Sequence, residues 1–252
     1  MAAVACGWIT VVLVTDPSSS LGEQRAWSVA TWGVLLWLLR AETPLVRTQV
    51  AVVVVFATAV EYTFSLWLEV YVYRLDNVPA FVSPGHGLVY LCALALGRSP
   101  VVRRWRVSLV ALTLAAGAAY ALWGLLGTDR VDVLGALWFG CLAVFLTLGR
   151  SRLLYVGLFA TVTYLELLGT WVGVWEWQPR DPTGLIGIGN PPSGVAGGYG
   201  WFDLAALTAA PALLRAWERL TQTGRARGNK AGLSSWRAAA GGDTRCREAD
   251  PD

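Results

Sequence analysis

The sequence predicts an all-α fold, a polytopic transmembrane helical bundle of about eight spans built as two parallel four-span repeats. Three observations predict it. Of 252 residues 55% are hydrophobic and only 15% charged, with a mean hydropathy of +0.50; a soluble domain carries about 25% charged residues, so an ordinary water-soluble enzyme is excluded. Fourteen tryptophans and eight tyrosines suit amphipathic rings at the two bilayer interfaces. The third observation is an internal duplication of a buried acid and the aromatic pair that follows it.

A span needs roughly 20 mainly apolar residues. Apolar runs lie at about 2–15, 26–39, 48–70, 78–97, 107–127, 131–149, 153–175 and 198–214. The first has the length of a signal peptide, but it lacks a basic n-region and a persuasive cleavage site and is read as a short span. The expected organisation is a first repeat over 1–104, a second over 105–220 and a disordered basic tail over 221–252. That tail is rich in Gly, Arg and Asp and too poor in apolar residues to fold.

Run three carries Glu61, then Tyr71-Val72-Tyr73, then Pro84-Gly85-His86-Gly87-Leu88-Val89-Tyr90. Run seven carries Glu166, then Trp175-Glu176-Trp177, then a stretch from Pro192 through Gly194 to Tyr199. The offsets are 105 for the glutamates, 104 for the aromatic pairs and 109 for Gly85/Gly194 and Tyr90/Tyr199. Four spans per copy is an even number, so the copies share one orientation about an axis along the membrane normal.

Orientation follows from the basic residues. Nineteen of the 20 are Arg and the remaining one is Lys230, a bias that fits a GC-rich bacterial genome. Sixteen fall in one set of alternate connections and the tail, among them Arg40, Arg98, Arg103, Arg106, Arg150 and Arg152; the opposite set holds only Arg25, Arg74, Arg130 and Arg180. The richer side is cytoplasmic, which places both termini inside the cell membrane and the connections 71–84 and 176–197 outside. The tail's basic residues act as topology determinants, a role preferred to anionic-lipid binding. Interspersed among apolar runs, the arginines form no stripe for nucleic acid. Cys6, Cys92, Cys141 and Cys246 show no CxxC or metal-ligand spacing, so neither a disulfide nor a metal site is expected, and no cofactor.

Glu61 and Glu166 are the main candidates. Each sits about fourteen residues into its run, past the midplane at a 1.5 Å rise per residue. A carboxylate there costs a few kcal/mol and marks a pathway or a site, and the neutral acid is a proton donor. His86, the only histidine, lies where Pro84 and two glycines are expected to break the fourth span; broken backbone at membrane depth lines a cavity or is buried by protein. The stretch 178–198, with Asn190, Pro191 and Pro192, repeats that theme. One His offers too few ligands for a metal. Asp203 begins the last span, where Leu94 stands in the first copy, and suits either a site or a helix N-terminus. Tyr71, Tyr73, Trp175 and Trp177 are expected as an interfacial belt that can also line a groove, beside Tyr90 and Tyr199. Glu69, Arg74, Asp76, Arg180 and Asp181 are expected as solvated charges.

The run Glu166-Leu167-Leu168-Gly169-Thr170-Trp171-Val172-Gly173-Val174-Trp175-Glu176-Trp177 resembles the membrane carotenoid-biosynthesis proteins of the hydratase type. These carry an intramembrane Glu, spaced glycines, an aromatic-x-aromatic pair and then a Pro-rich return. Tyr71-Val72-Tyr73 with Val78-Pro79 and Pro84 is similar to the last part. The resemblance implies an acid that protonates an isoprenoid double bond and water that captures the cation. Three classes are open: an enzyme acting on a lipid-like substrate with Glu61 and Glu166 as acid/base groups and His86 as partner; a proton- or cation-coupled transporter using the same carboxyls; and a non-catalytic assembly subunit. No Walker motif, nucleophile elbow or HExxH is present.

Overall fold

In the computed structural model the backbone is described for residues 1–240 and side-chain surroundings for 1–221. The chain divides into two units, Met1–Ala210 and Pro211–Asp252. Through the first run α1 (Ala2–Thr15), α2 (Leu21–Leu39), α3 (Pro44–Glu61), α4 (Val82–Arg98), α5 (Pro100–Arg104), α6 (Arg106–Leu126), α7 (Val133–Leu148) and α8 (Arg152–Trp171), and α9 (Val195–Ala240) begins there. Each apolar run is a helix, and α5 is an added short one. The stretch from 221, expected to be unfolded, is helical as far as Ala240; its Ala, Arg and Leu are strong helix formers. Residues 241–252, with Cys246, lie outside the described residues.

Among the described residues three helices are long and apolar enough to cross a membrane, Pro44–Trp67, Arg106–Leu126 and Arg152–Trp171, while Ala2–Ser18 and Val133–Leu148 are apolar but shorter. The chain is a membrane protein of mostly helical structure.

Local chemistry sets the helix starts. Ser20 and Glu23 form a reciprocal capping box on α2, Thr43 caps α3 with Pro44 in its first turn, and Asp132 caps α7. The Pro84-Gly85-His86-Gly87 stretch corrects an expectation, because it opens α4 and breaks nothing. Pro84 falls in the first turn of Val82–Arg98, where a missing N–H has no intrahelical partner to lose.

Helix α4 packs most extensively against α8, and it is buried without interruption from His86 to Ala93, the pattern of a core helix. Glycine permits the approach: a Cβ on Gly97 would sit 2.9 Å from the Leu153 carbonyl oxygen, and Gly157 faces the Ala93 backbone in the same way.

The segments expected as an aromatic belt are strands, β1 (Tyr71–Tyr73) and β2 (Trp175–Trp177), paired antiparallel as Tyr71↔Trp177, Val72↔Glu176 and Tyr73↔Trp175. Aromatic and β-branched residues suit a half-buried strand. The flanking bonds, Arg74 N to Val174 O and Gln178 N to Val70 O, are both 3.0 Å long, and a shift of 104 residues converts one into the other. The same shift relates Glu69 (φ +49°) to Gly173 (φ +77°), so each strand is entered through a left-handed residue. Between acid and strand the first segment is one residue longer than the second. Its extra residue is taken up in the π-helical turn Tyr62–Trp67, whose hydrogen bonds span five residues.

Candidate functional site

Helix α3 ends at Glu61, and the π-helical turn carries the chain round so that β1 passes beneath the carboxyl. Side chains two apart on a strand share a face. Both phenols therefore reach one oxygen, Tyr71 and Tyr73 donating to Glu61 Oε2 at 2.8 and 2.9 Å. From α4, His86 Nε2 lies 2.8 Å from the other oxygen, Oε1. Glu166 on α8 repeats the plan with other chemistry: the indoles of Trp175 and Trp177 donate to Oε2 at 3.1 and 3.2 Å, and the Tyr199 hydroxyl lies 3.3 Å from Oε1. Gly169, one turn beyond Glu166, makes this possible, because a Cβ there would overlap the six-membered ring of Trp175.

Both acids and the imidazole are buried, at 6% exposure for Glu61, 3% for Glu166 and 5% for His86. All three line a cavity of about 260 Å³ together with Tyr71, Tyr73, Trp175, Trp177 and Tyr199. Apart from Thr31 and two glycines the remaining wall is aromatic and aliphatic, with Trp8, Phe56, Trp138, Trp201 and Phe202 among the rings. The His86 ring sits 5.0 Å from that of Tyr199 and 5.4 Å from that of Phe202.

The two carboxyls differ in what they can exchange. An indole N–H only donates, so Glu166 Oε2 is held as an acceptor by groups that keep their protons. Glu61 faces two phenols and an imidazole, and the imidazole Nδ1 is buried without a hydrogen-bond partner among the described residues. Burial first, and the facing Glu61 carboxyl second, push the Tyr71 and Tyr73 phenols well above their usual range, so both remain donors. The Glu61–His86 pair is the place in the site where a carboxyl meets an imidazole directly.

The other candidates lie elsewhere. Asn190 Oδ1 accepts from the Trp177 backbone N–H at 3.1 Å, which fixes β2 without reaching the cavity. Tyr90 and Asp203 are buried but do not line it, and the Tyr90 hydroxyl and Asp203 Oδ2 have no hydrogen-bond partner among the described residues. The partner of Glu61 across the bundle is thus His86, one turn before Tyr90, whereas the partner of Glu166 is Tyr199 itself. Arg74 corrects another expectation: half-buried, it donates to the carbonyls of Asp16 and Ser19 and lies 3.6 Å from the Asp16 carboxylate.

Two buried acids escaped the sequence reading. Asp132, 1% exposed, accepts from the backbone of Gly135, Gly189 and Ser193 and from the Ser193 hydroxyl at 2.6–2.9 Å. Asp16, fully buried, accepts from Gln24 Nε2 at 2.9 Å. Each ties the turn between two helices to another part of the first unit, Asp132 to the stretch after β2 and Asp16, through Arg74, to the stretch after β1. An Asp directly before the apolar run of α7 is an N-cap signal, and Asp16-Pro17 is a turn signal; neither announces a long-range tie.

Comparison of the chain with protein-family models, with curated proteins and with solved structures finds no match.

Proposed function

We propose that this protein is an enzyme of the bacterial cell membrane that acts on a lipid-like, isoprenoid-class substrate by acid/base chemistry at Glu61 and His86, with Glu166 as the second acid. One observation carries the reading: a carboxyl–imidazole pair 2.8 Å apart, almost wholly buried, lines a cavity whose remaining wall is mostly apolar. A sugar or nucleotide would leave most of its polar groups unpaired there. An alkene would not. In the proposed step a proton passes from the pair to one carbon of a double bond, and positive charge develops on the neighbouring carbon. The Glu166 carboxyl and the faces of the surrounding rings stabilise that charge. The oxygen of a water molecule adds to the cation, and the proton it releases returns to the pair, so one water is gained and the catalyst is regenerated. The likeness of the Glu166–Trp177 run to hydratase-type carotenoid-biosynthesis proteins favours the same chemistry.

The reading includes eight membrane crossings in two parallel four-helix repeats, with both termini cytoplasmic. The matched contacts of the two acids support the duplication, since Glu61 accepts from Tyr71 and Tyr73 and Glu166 from Trp175 and Trp177, in each half the aromatic pair that follows it. The division of basic residues, sixteen against four, supports the orientation.

The test compares lipid extracts, by mass, from cells with and without the protein. A product heavier by one water is expected, and Glu61→Gln, which keeps shape and loses the proton, should lower it by at least about 100-fold; Glu166→Gln should do the same while the protein stays folded. Lipids unchanged across growth conditions would overturn the enzyme reading. They would leave a proton- or cation-coupled carrier in which the same acids hold the ion.

A further inference from the structure

A second cavity, of about 460 Å³, lies at the opposite ends of α4 and α8 and shares no lining residue with the first. Along α4 the step from His86 to Arg98 is about 18 Å at the helical rise. Five arginines line this second cavity: Arg98 closing α4, Arg103 in α5, Arg106 opening α6, Arg150 in the α7–α8 turn and Arg152 opening α8. No acid lines it. Glu42 neutralises Arg98 at 3.0 Å, and Arg152 donates to the carbonyls of Gly149 and Thr147, with no acidic partner among the described residues. Arg103, Arg106 and Arg150 have no acidic partner among the described residues. Four guanidinium charges from four parts of the chain thus converge on one concavity.

A topology signal needs only charge on the correct side of a membrane, and Arg104, in the same stretch, supplies such charge without lining the cavity. Convergence is a further property, and it brings like charges together at a Coulombic cost that a bound anion relieves. Two more features define the anion. Ser151, the N-cap of α8, makes no side-chain capping bond and lines the cavity with Arg152, Leu153 and Leu154, so the positive end of a 20-residue helix opens on it. The remaining wall is Leu94, Leu153, Leu154 and Leu207, which suits an apolar tail beside a charged head. Guanidinium forks match the oxygens of a phosphate.

We propose that this cavity is a phosphate-binding site, taking a phosphomonoester or diphosphate group at the membrane surface.

The full chain in mild detergent, followed by native mass spectrometry, tests it with three probes: phosphatidic acid, diacylglycerol of the same acyl chains and inorganic phosphate. Phosphatidic acid should be retained over diacylglycerol, and retention should weaken as salt is raised. The double change Arg103→Gln with Arg106→Gln should weaken it about tenfold, the loss expected on removing charge-assisted hydrogen bonds. Arg40→Gln removes an exposed arginine outside the cavity and should change nothing, and Glu61→Gln should likewise leave retention intact, which keeps this test separate from the proposed chemistry. If the double variant fails to fold, Arg103→Lys with Arg106→Lys keeps the charge and should give a smaller loss, and the salt titration of the unaltered protein still decides. Displacement of phosphatidic acid by millimolar inorganic phosphate assigns the site to free phosphate; resistance assigns it to a lipid headgroup. Equal retention of diacylglycerol, insensitivity to salt, or an equal loss in Arg40→Gln would each overturn the proposal.

Discussion

Glu69 and Gly173 occupy equivalent left-handed positions before the two strands, yet only one of them is the residue that conformation favours. A side chain in that region costs about 1 kcal/mol or more. Glu69→Gly is therefore expected to raise the thermal midpoint of the protein in detergent. Gly173→Ala should lower it by a similar margin, about 1 kcal/mol, because open space surrounds Gly173 and backbone strain is the only penalty. If the two shifts had the same sign, the strain argument would fail. At this scale the acids, the single His and the aromatic pairs were legible in the sequence, because an acid in an apolar run stands out against its neighbours. Their partners were not. Whether His86 or Tyr90 meets Glu61 depends on where α4 stands along its axis by a single turn, since both residues share one face, and periodicity does not specify that height.

Among the elements, β2 and α8 illustrate how packing positions chemistry. Gly169→Ala would place a methyl group where the Trp175 ring lies, so the indole must leave Glu166; activity should fall while the helical far-UV signal is retained, and tryptophan emission should shift as the indole is displaced. Unchanged emission would mean that the ring does not rest on Gly169. Helix α2 offers a pH test outside the apolar runs. Hydrogen bonds from the Ser20 backbone and side chain hold the Glu23 carboxyl below its usual value. The cap's contribution is accordingly complete above the ordinary glutamate range and is lost as pH falls through the lowered value. Protection of the first-turn amides of α2, taken relative to their intrinsic exchange rates, should fall over that acid window and remain level above it; a fall in protection on raising the pH would refute the sign. The helices themselves were readable from hydropathy and caps. The strands were not, because three residues of alternating aromatic pattern are equally consistent with an interfacial belt until a partner 104 residues away is supplied.

For the molecule as a whole, orientation is the most direct prediction. With the native cysteines replaced, single cysteines at the exposed positions Asp76 and Arg180 should react with an impermeant thiol reagent added outside intact cells. Reaction only after the inner face is opened would reverse the topology. The sequence by itself determined that this is a membrane protein, where its apolar helices run and that two acids recur with similar surroundings. Each of these properties is local, set by the polarity of some 20 consecutive residues or by fixed spacing along the chain. Only the tertiary structure decided that the aromatic pairs are buried and bonded to the acids, that Asp16 and Asp132 act as long-range ties, and that arginines from separate connections converge on one cavity. Those outcomes depend on how closely two helices approach, as α4 and α8 do through Gly97 and Gly157. Such an approach is a property of both surfaces together, and neither segment encodes it alone.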